Sequence, residues 1–127
     1  MKKQNKSLIM SLSVLGFVII AALGYWAYYI QQPGKLDNFA QCLEAKGAKF
    51  YGAFWCPHCQ AQKALFGKSK SLLPYVECST PDQKDQTQIC KDNKIEGYPT
   101  WIFADGSRNS GEMTLEQLAE KTGCSIN

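Results

Sequence analysis

The pattern of apolar and polar positions divides this chain in two. From Ser7 to Ile30, SLIMSLSVLGFVIIAALGYWAYYI, apolar residues fall on every face of a helix, and no charged side chain occurs between Lys6 and Lys35. A helix that rises ~1.5 Å per residue is long enough over this run to cross a hydrocarbon core of ~30 Å, and it has no polar face to turn to water. The run therefore predicts a transmembrane anchor over 7–30 behind a short tail, 1–6. QQPGK, 31–35, reads as a linker, because Pro33 and Gly34 end the helix. In LDNFAQCLEAKG, Leu36, Phe39, Ala40 and Leu43 make an apolar helical stripe, with Asp37 as candidate N-cap and Gly47 as the stop. AKFYGAFW is short, aromatic and without alternation, as in a strand covered on both faces and running to Trp55. PHCQAQKALFG returns to helical spacing, with Cys59, Ala64, Leu65 and Phe66 on its buried or site-facing side. A brief strand over Tyr75–Cys78, the polar STPDQKDQ and a helix around Gln86–Asn93 follow. The strand TWIFA then meets Asp105-Gly106, a hairpin-turn dipeptide, and a return strand over Ser107–Gly111. Thr114 with Gln117 three residues on is a capping box for a last helix ending at Gly123.

After the linker the order is helix, strand, helix, strand, helix, strand, strand, helix. A βαβ unit followed by a hairpin and a covering helix predicts an α/β domain over 36–127. Its centre would be a mixed sheet of about four strands, with helices on both faces.

Charge adds direction. Lys2, Lys3 and Lys6 precede the apolar run and account for the whole excess of 14 Lys+Arg over 11 Asp+Glu. The positive-inside tendency then keeps the N-terminus in the cytoplasm of a cell membrane and sends the C-terminal domain out. Tyr25, Trp26, Tyr28 and Tyr29 crowd the far end, where rings with one polar edge suit the headgroup layer. A cleaved signal peptide is the competing reading, with Ala22-Leu23-Gly24 as its small-residue triplet, but the apolar run continues through the aromatic cluster. The domain itself has no net charge and no basic face, which argues against nucleic acid as a partner. Six cysteines in so small a domain fit an oxidising compartment, where disulfides supplement a marginal core.

The chemistry concentrates in FWCPHCQ, Phe54 to Gln60. A closed zinc site wants four ligands in close pairs; here the other cysteines are scattered and His58 is the chain's single histidine. A set of Cys56, Cys59, Cys78 and Cys90 is conceivable, but the scatter of the cysteines argues against it, and no metal is expected. A purely structural disulfide across so short a loop would remove little unfolded-state entropy. Thiol–disulfide exchange explains more of the residues. With Cys56 at the N-cap and Pro57 at the first helical position, unpaired amides and the positive helix end face the Cys56 sulfur and favour thiolate. His58 adds a group that can be cationic, and Cys59, one turn in, would be the less exposed resolving thiol. This chemistry calls for no cofactor. Tyr98-Pro99-Thr100 precedes a strand, where a proline suits a sheet-entry turn in either the cis or the trans form.

FYGAFWCPHCQ, the later GYPTW and the order of elements resemble the thioredoxin superfamily. FYGAFWCPHC, LPYVECS and GYPTW together resemble, more narrowly, the thioredoxin-like domain that accompanies bacterial vitamin K epoxide reductase homologues. The likeness runs from Leu36 to Cys124. It implies that Cys56 enters mixed disulfides, that Cys59 resolves them, and that a cis Pro99 packs against the pair and orders the substrate backbone. It also implies exported cysteine-containing substrates and a quinone-linked membrane reductase of the vitamin K epoxide reductase type, whose own helices and cysteines are absent from this chain. Pro-His is the dipeptide of DsbA-like oxidants, which leans the direction toward oxidising others; a disulfide reductase and a copper- or zinc-binding module are the alternatives. On this reading Tyr98, Pro99 and Thr100 form the facing rim with Trp55 as apolar platform, while Phe54 is assigned to core packing, with a place in the platform beside Trp55 as the alternative.

Cys78 and Cys90 flank the polar loop STPDQKDQTQI, and a bridge there would contribute about 3 kcal/mol by loop entropy. Cys42 and Cys124 are a second candidate pair, tying the domain's ends together, with free packed cysteines as the alternative. With the first and last helices of the domain expected on opposite faces, only the place of Cys124 beyond its helix allows that bond.

Overall fold

The computed structural model describes residues 2–126. Met1 and Asn127 lie outside the described residues, as do the side chains of residues 2–4, on which the charge argument for orientation partly rests. The chain forms two units, divided after Gln32.

The first unit is helix α1, Lys2–Gln31, which carries a stretch long and apolar enough to cross a membrane, with mean hydropathy 2.3 over its most apolar window. Its large apolar side chains are exposed. Such a helix has no internal face to bury, so lipid is the medium that suits it.

The second unit contains helix α2 (Asp37–Ala45), strand β1 (Lys49–Gly52), helix α3 (Pro57–Ala64) and a 3-10 turn over Gly67–Leu72. Strand β2 (Tyr75–Glu77), helix α4 (Gln88–Asp92), strands β3 (Thr100–Ile102) and β4 (Arg108–Ser110) and helix α5 (Leu115–Thr122) complete it. The strands lie in the order β2-β1-β3-β4; β1 pairs parallel with β2 and antiparallel with β3, which pairs antiparallel with β4. The mixed four-stranded sheet is thus as expected.

Alternation along the strands sends successive side chains to opposite faces. Phe50, Tyr75, Trp101 and Phe103 join one apolar cluster, with Phe39, Ala40 and Leu43 of α2, Cys59 of α3 and Leu118 of α5. Tyr51, Val76 and Ile102 join the other, with Cys90 of α4 and Ile95. The helices of Phe39 and Leu118 therefore share a cluster, which corrects the expectation of opposite faces. It also puts Cys42 within reach of Cys124, bonded at a Cα–Cα separation of 5.9 Å across 82 residues of sequence. Cys78 and Cys90 are bonded as well, at 5.5 Å across 12.

Several local expectations shift. Asp37 is the first residue of α2 and not its cap; its carboxylate accepts from the Gly34 N–H at 3.0 Å and folds the linker onto the helix start. Strand β1 stops at Gly52, three residues before Trp55. In α3 the buried positions are Cys59 and Gln62, whereas Ala64 and Leu65 are exposed. The helix ends earlier than its apolar spacing suggests, and Phe66 turns inward only after it, stacking on Phe39 at 5.8 Å. The capping box of Thr114 and Gln117 is present, and Gly123 closes α5 at φ 73°.

Loop-length arithmetic ranks the two disulfides. Replacing Cys42 and Cys124 together by alanine should cost about 4 to 5 kcal/mol, and replacing Cys78 and Cys90 about 3 kcal/mol. Denaturant unfolding of the two double variants checks this, and a larger loss for the shorter loop would contradict it.

Candidate thiol–disulfide exchange site

Between β1 and α3 the chain makes one tight turn: the Cys56 N–H donates to the Ala53 carbonyl at 3.0 Å, leaving Phe54 and Trp55 at its tip. Cys56 is the N-cap of α3 with extended backbone (φ −77°, ψ 121°), and Pro57 follows as the first helical residue. The first helical bond runs from the Gln60 N–H to the Cys56 carbonyl at 3.1 Å. A proline there forfeits nothing, since that N–H would have had no partner in the helix. The Cys56 side chain thus stands at the positive end of the helix.

The two sulfurs differ in access. Both are thiols, and Cys56 is 5 % exposed while Cys59 is fully buried. Exposure lies in the neighbours Phe54, Trp55 and His58 and not in the pair itself. The Cys56 Sγ lies 3.8 Å from the Tyr98 carbonyl oxygen. Cys59 is pushed up from 9.0 to about 12, chiefly by burial. The backbone hydrogen bond to Ala53 works against burial, hydrogen bonding with Cys56 and the charge of Cys56 add to the rise, and Lys63 lowers it least.

Gly52 makes room for this arrangement. A Cβ there would stand 2.8 Å from Cys59 Sγ and 2.9 Å from Tyr75 Cε2, closer than such atoms approach. Only glycine lets α3 press the second sulfur so far onto the strand.

The rim is aromatic and polar. Trp55, 47 % exposed, donates from Nε1 to Ser79 Oγ at 2.8 Å and meets Tyr98 edge to face at 6.1 Å. A groove of about 250 Å³ opens beside them, lined by Trp55, Ser79, Gln83, Lys84, Gln86 and Tyr98, among others. Phe54 is 41 % exposed, which corrects its assignment to the core. The tight turn points it outward, and its backbone is held by Glu77 and by the Gln60 amide. His58 is exposed and its Nδ1 lies 2.7 Å from Glu112 Oε1, in the loop after β4.

The Tyr98–Pro99 peptide is cis. Pro99 is buried, and its carbonyl accepts from the Gly111 N–H at 2.8 Å. Thr100, 4 % exposed, donates its hydroxyl to the Gly97 carbonyl at 2.8 Å. It therefore holds the turn and does not line the opening as anticipated. The Cys78–Cys90 bond removes two of the four sulfurs that the conceivable zinc set requires.

Sequence reasoning passed over Gln62. Its amide oxygen accepts from the Met113 N–H at 2.7 Å and from Trp101 Nε1 at 3.3 Å, while Nε2 donates to the Met113 carbonyl at 3.0 Å. It locks α3 to the segment after Glu112. A polar residue at an inward helical position was the one available signal. Glu112, as partner of His58, left none.

A family profile described as Thioredoxin matches residues 36–122. This chain belongs to the thioredoxin family. It is 50 % identical over 91 residues to the thiol-disulfide oxidoreductase LTO1 of Arabidopsis thaliana, covering 68 % of this chain and 24 % of that protein. A thioredoxin domain-containing protein 5 homolog of Drosophila melanogaster is 34 % identical over 104 residues, covering 69 % and 24 %. Protein disulfide-isomerase of Humicola insolens is 27 % identical over 89 residues, covering 68 % and 17 %. The chain spans about a quarter or less of the length of these relatives.

The buried Cys59 proton has a consequence for stability. As pH rises from 9.0 toward about 12, the unfolded chain releases this proton and the folded chain keeps it. The folded state then binds more protons, so stability falls with pH across that window. Denaturant midpoints of the reduced chain should decline there more steeply than those of Cys59→Ser, and equal slopes would contradict the assignment.

Proposed function

We propose that this protein is a membrane-anchored thiol–disulfide oxidoreductase that exchanges disulfides with exported cysteine-containing proteins through Cys56 and Cys59. The observation that carries the reading is the asymmetry of the pair. One sulfur belongs to the residue at a helix N-cap and keeps 5 % exposure, the second is fully buried, and the other four cysteines are already bonded to one another.

In the oxidising direction a substrate thiolate attacks Cys56 of the Cys56–Cys59 disulfide. A bond forms between the substrate sulfur and Cys56, the Cys56–Cys59 bond breaks, and Cys59 leaves and takes up a proton. A second substrate thiolate then displaces Cys56, and two electrons have passed from substrate to enzyme. Trp55 and Tyr98 flank the opening, and the buried Pro99 sets the Tyr98 carbonyl over the sulfur. The aromatic platform, including the exposed Phe54, gives an unfolded or extended substrate apolar area without demanding a sequence.

The oxidising direction is supported by the Pro57-His58 dipeptide. A quinone-linked membrane reductase of the vitamin K epoxide reductase type as reoxidant of the pair is supported by the three-motif resemblance. The anchor over 7–30, with linker 31–35, the tail 1–6 in the cytoplasm and the domain 36–127 outside, is supported by the length of α1 and by Lys2, Lys3 and Lys6 ahead of the apolar run.

Two measurements test this. Cys59→Ser, expressed in membranes, should accumulate mixed disulfides with exported proteins, and Cys56→Ser should form none; trapping that persists without Cys56 defeats the assignment. The potential of the pair in the full chain should lie nearer the ~−120 mV of strong oxidants than the ~−270 mV of thioredoxin, and a value near the latter reverses the direction.

A further inference from the structure

Resolution of a mixed disulfide by Cys59 puts a negative charge on a fully buried sulfur, and burial alone opposes that charge. The molecule should therefore supply a compensating group nearby. Lys63 is four residues beyond Cys59 on α3, the spacing that stacks side chains on one helix face. Its Nζ sits 3.3 Å from the centroid of the Tyr75 ring. Tyr75 and Cys59 in turn converge on the bare face of Gly52. The Tyr75 hydroxyl donates to Glu77 Oε2 at 2.7 Å, and the other oxygen of Glu77 accepts from the Ser79 N–H at 2.8 Å. An amino group, an aromatic face and a carboxylate are thereby lined up beside the sealed sulfur.

We propose that Lys63 is the counter-charge of the Cys59 thiolate, held in place by the Tyr75 ring and Glu77. The inference rests on the exchange reaction proposed above and adds a residue to it. Lys63 does not touch the substrate; it acts through Cys59. When Cys59 attacks, its proton passes to solvent, the Cys56–Cys59 bond forms and the substrate leaves as thiolate. In the reverse direction Cys59 departs as thiolate beside the ammonium before it is protonated. The same cation thus serves both directions.

The other groups acting on Lys63 and Cys59 fit this role. Burial lowers Lys63 from its ordinary value, while the charges of Glu77 and Cys59 raise it and Lys70, in the 3-10 turn, lowers it. Cys56 at the head of α3 disfavours charge on Cys59. The backbone hydrogen bond to Ala53 favours the Cys59 thiolate more strongly, and Lys63 is the charged group that adds to it.

The test uses the reduced full-length chain in detergent and an excess of a symmetrical aryl disulfide whose released thiolate is coloured. Attack by Cys56 releases one aryl thiolate, and displacement by Cys59 releases the second. Lys63→Met should leave the first release within about twofold, slow the second about tenfold, as one unit of thiol pKa implies, and move its pH profile upward. Lys63→Arg should restore the second release, which a merely structural requirement for lysine would not predict. A second phase unchanged in Lys63→Met, or as slow in Lys63→Arg as in Lys63→Met, overturns the proposal. Absence of a second release in the unmodified chain instead contradicts exchange through Cys56 and Cys59 itself.

Discussion

The constraint on which the site depends is the close approach of the Cys59 sulfur to Gly52, where a Cβ would stand only 2.8 Å from it. It brings α3 down onto β1 and buries the Cys59 sulfur completely, while Cys56, at the edge of the same apolar cluster and at the helix end, keeps 5 % exposure and lies against the Tyr98 carbonyl. A C-x-x-C pair with two equivalent thiols would have no preferred point of attack. Here burial creates the inequality, since a thiolate in an apolar surrounding is costly while a thiol is not. The site's chemistry is thus a product of packing as much as of the motif.

The same contact explains why the surroundings are tied so firmly. Gln62 fastens α3 to Met113, Trp55 is fastened to Ser79, and Tyr98 accepts from the Gln86 amide at 2.9 Å. The Cys78–Cys90 bond holds the two ends of the loop that carries Ser79 and Gln86. A domain this small has a marginal core, and covalent ties far from the reactive pair let that pair be broken and remade without loosening the fold.

Much of this was legible in the chain itself. The apolar run to Ile30, the order of strands and helices, the Cys56-Pro57 helix start and the Thr114–Gln117 box are local signals, and local signals survive folding. The misreadings came from tertiary packing. Phe54 looks like core because it is aromatic within an apolar run, but a turn that begins at Ala53 points it outward. Leu65 is exposed because α3 ends at Ala64, and Thr100 is buried because its hydroxyl is used within the turn at Gly97. The links of His58 to Glu112 and of Gln62 to Met113 join residues more than 50 apart in sequence, which no local pattern encodes.

The central claim, that burial makes the two sulfurs unequal, is most directly tested by alkylating the reduced full-length chain at neutral pH and mapping the modified residue. The account predicts modification at Cys56 with Cys59 spared until the chain is unfolded. Modification of both sulfurs at equal rates in the folded chain, or of Cys59 first, would contradict it.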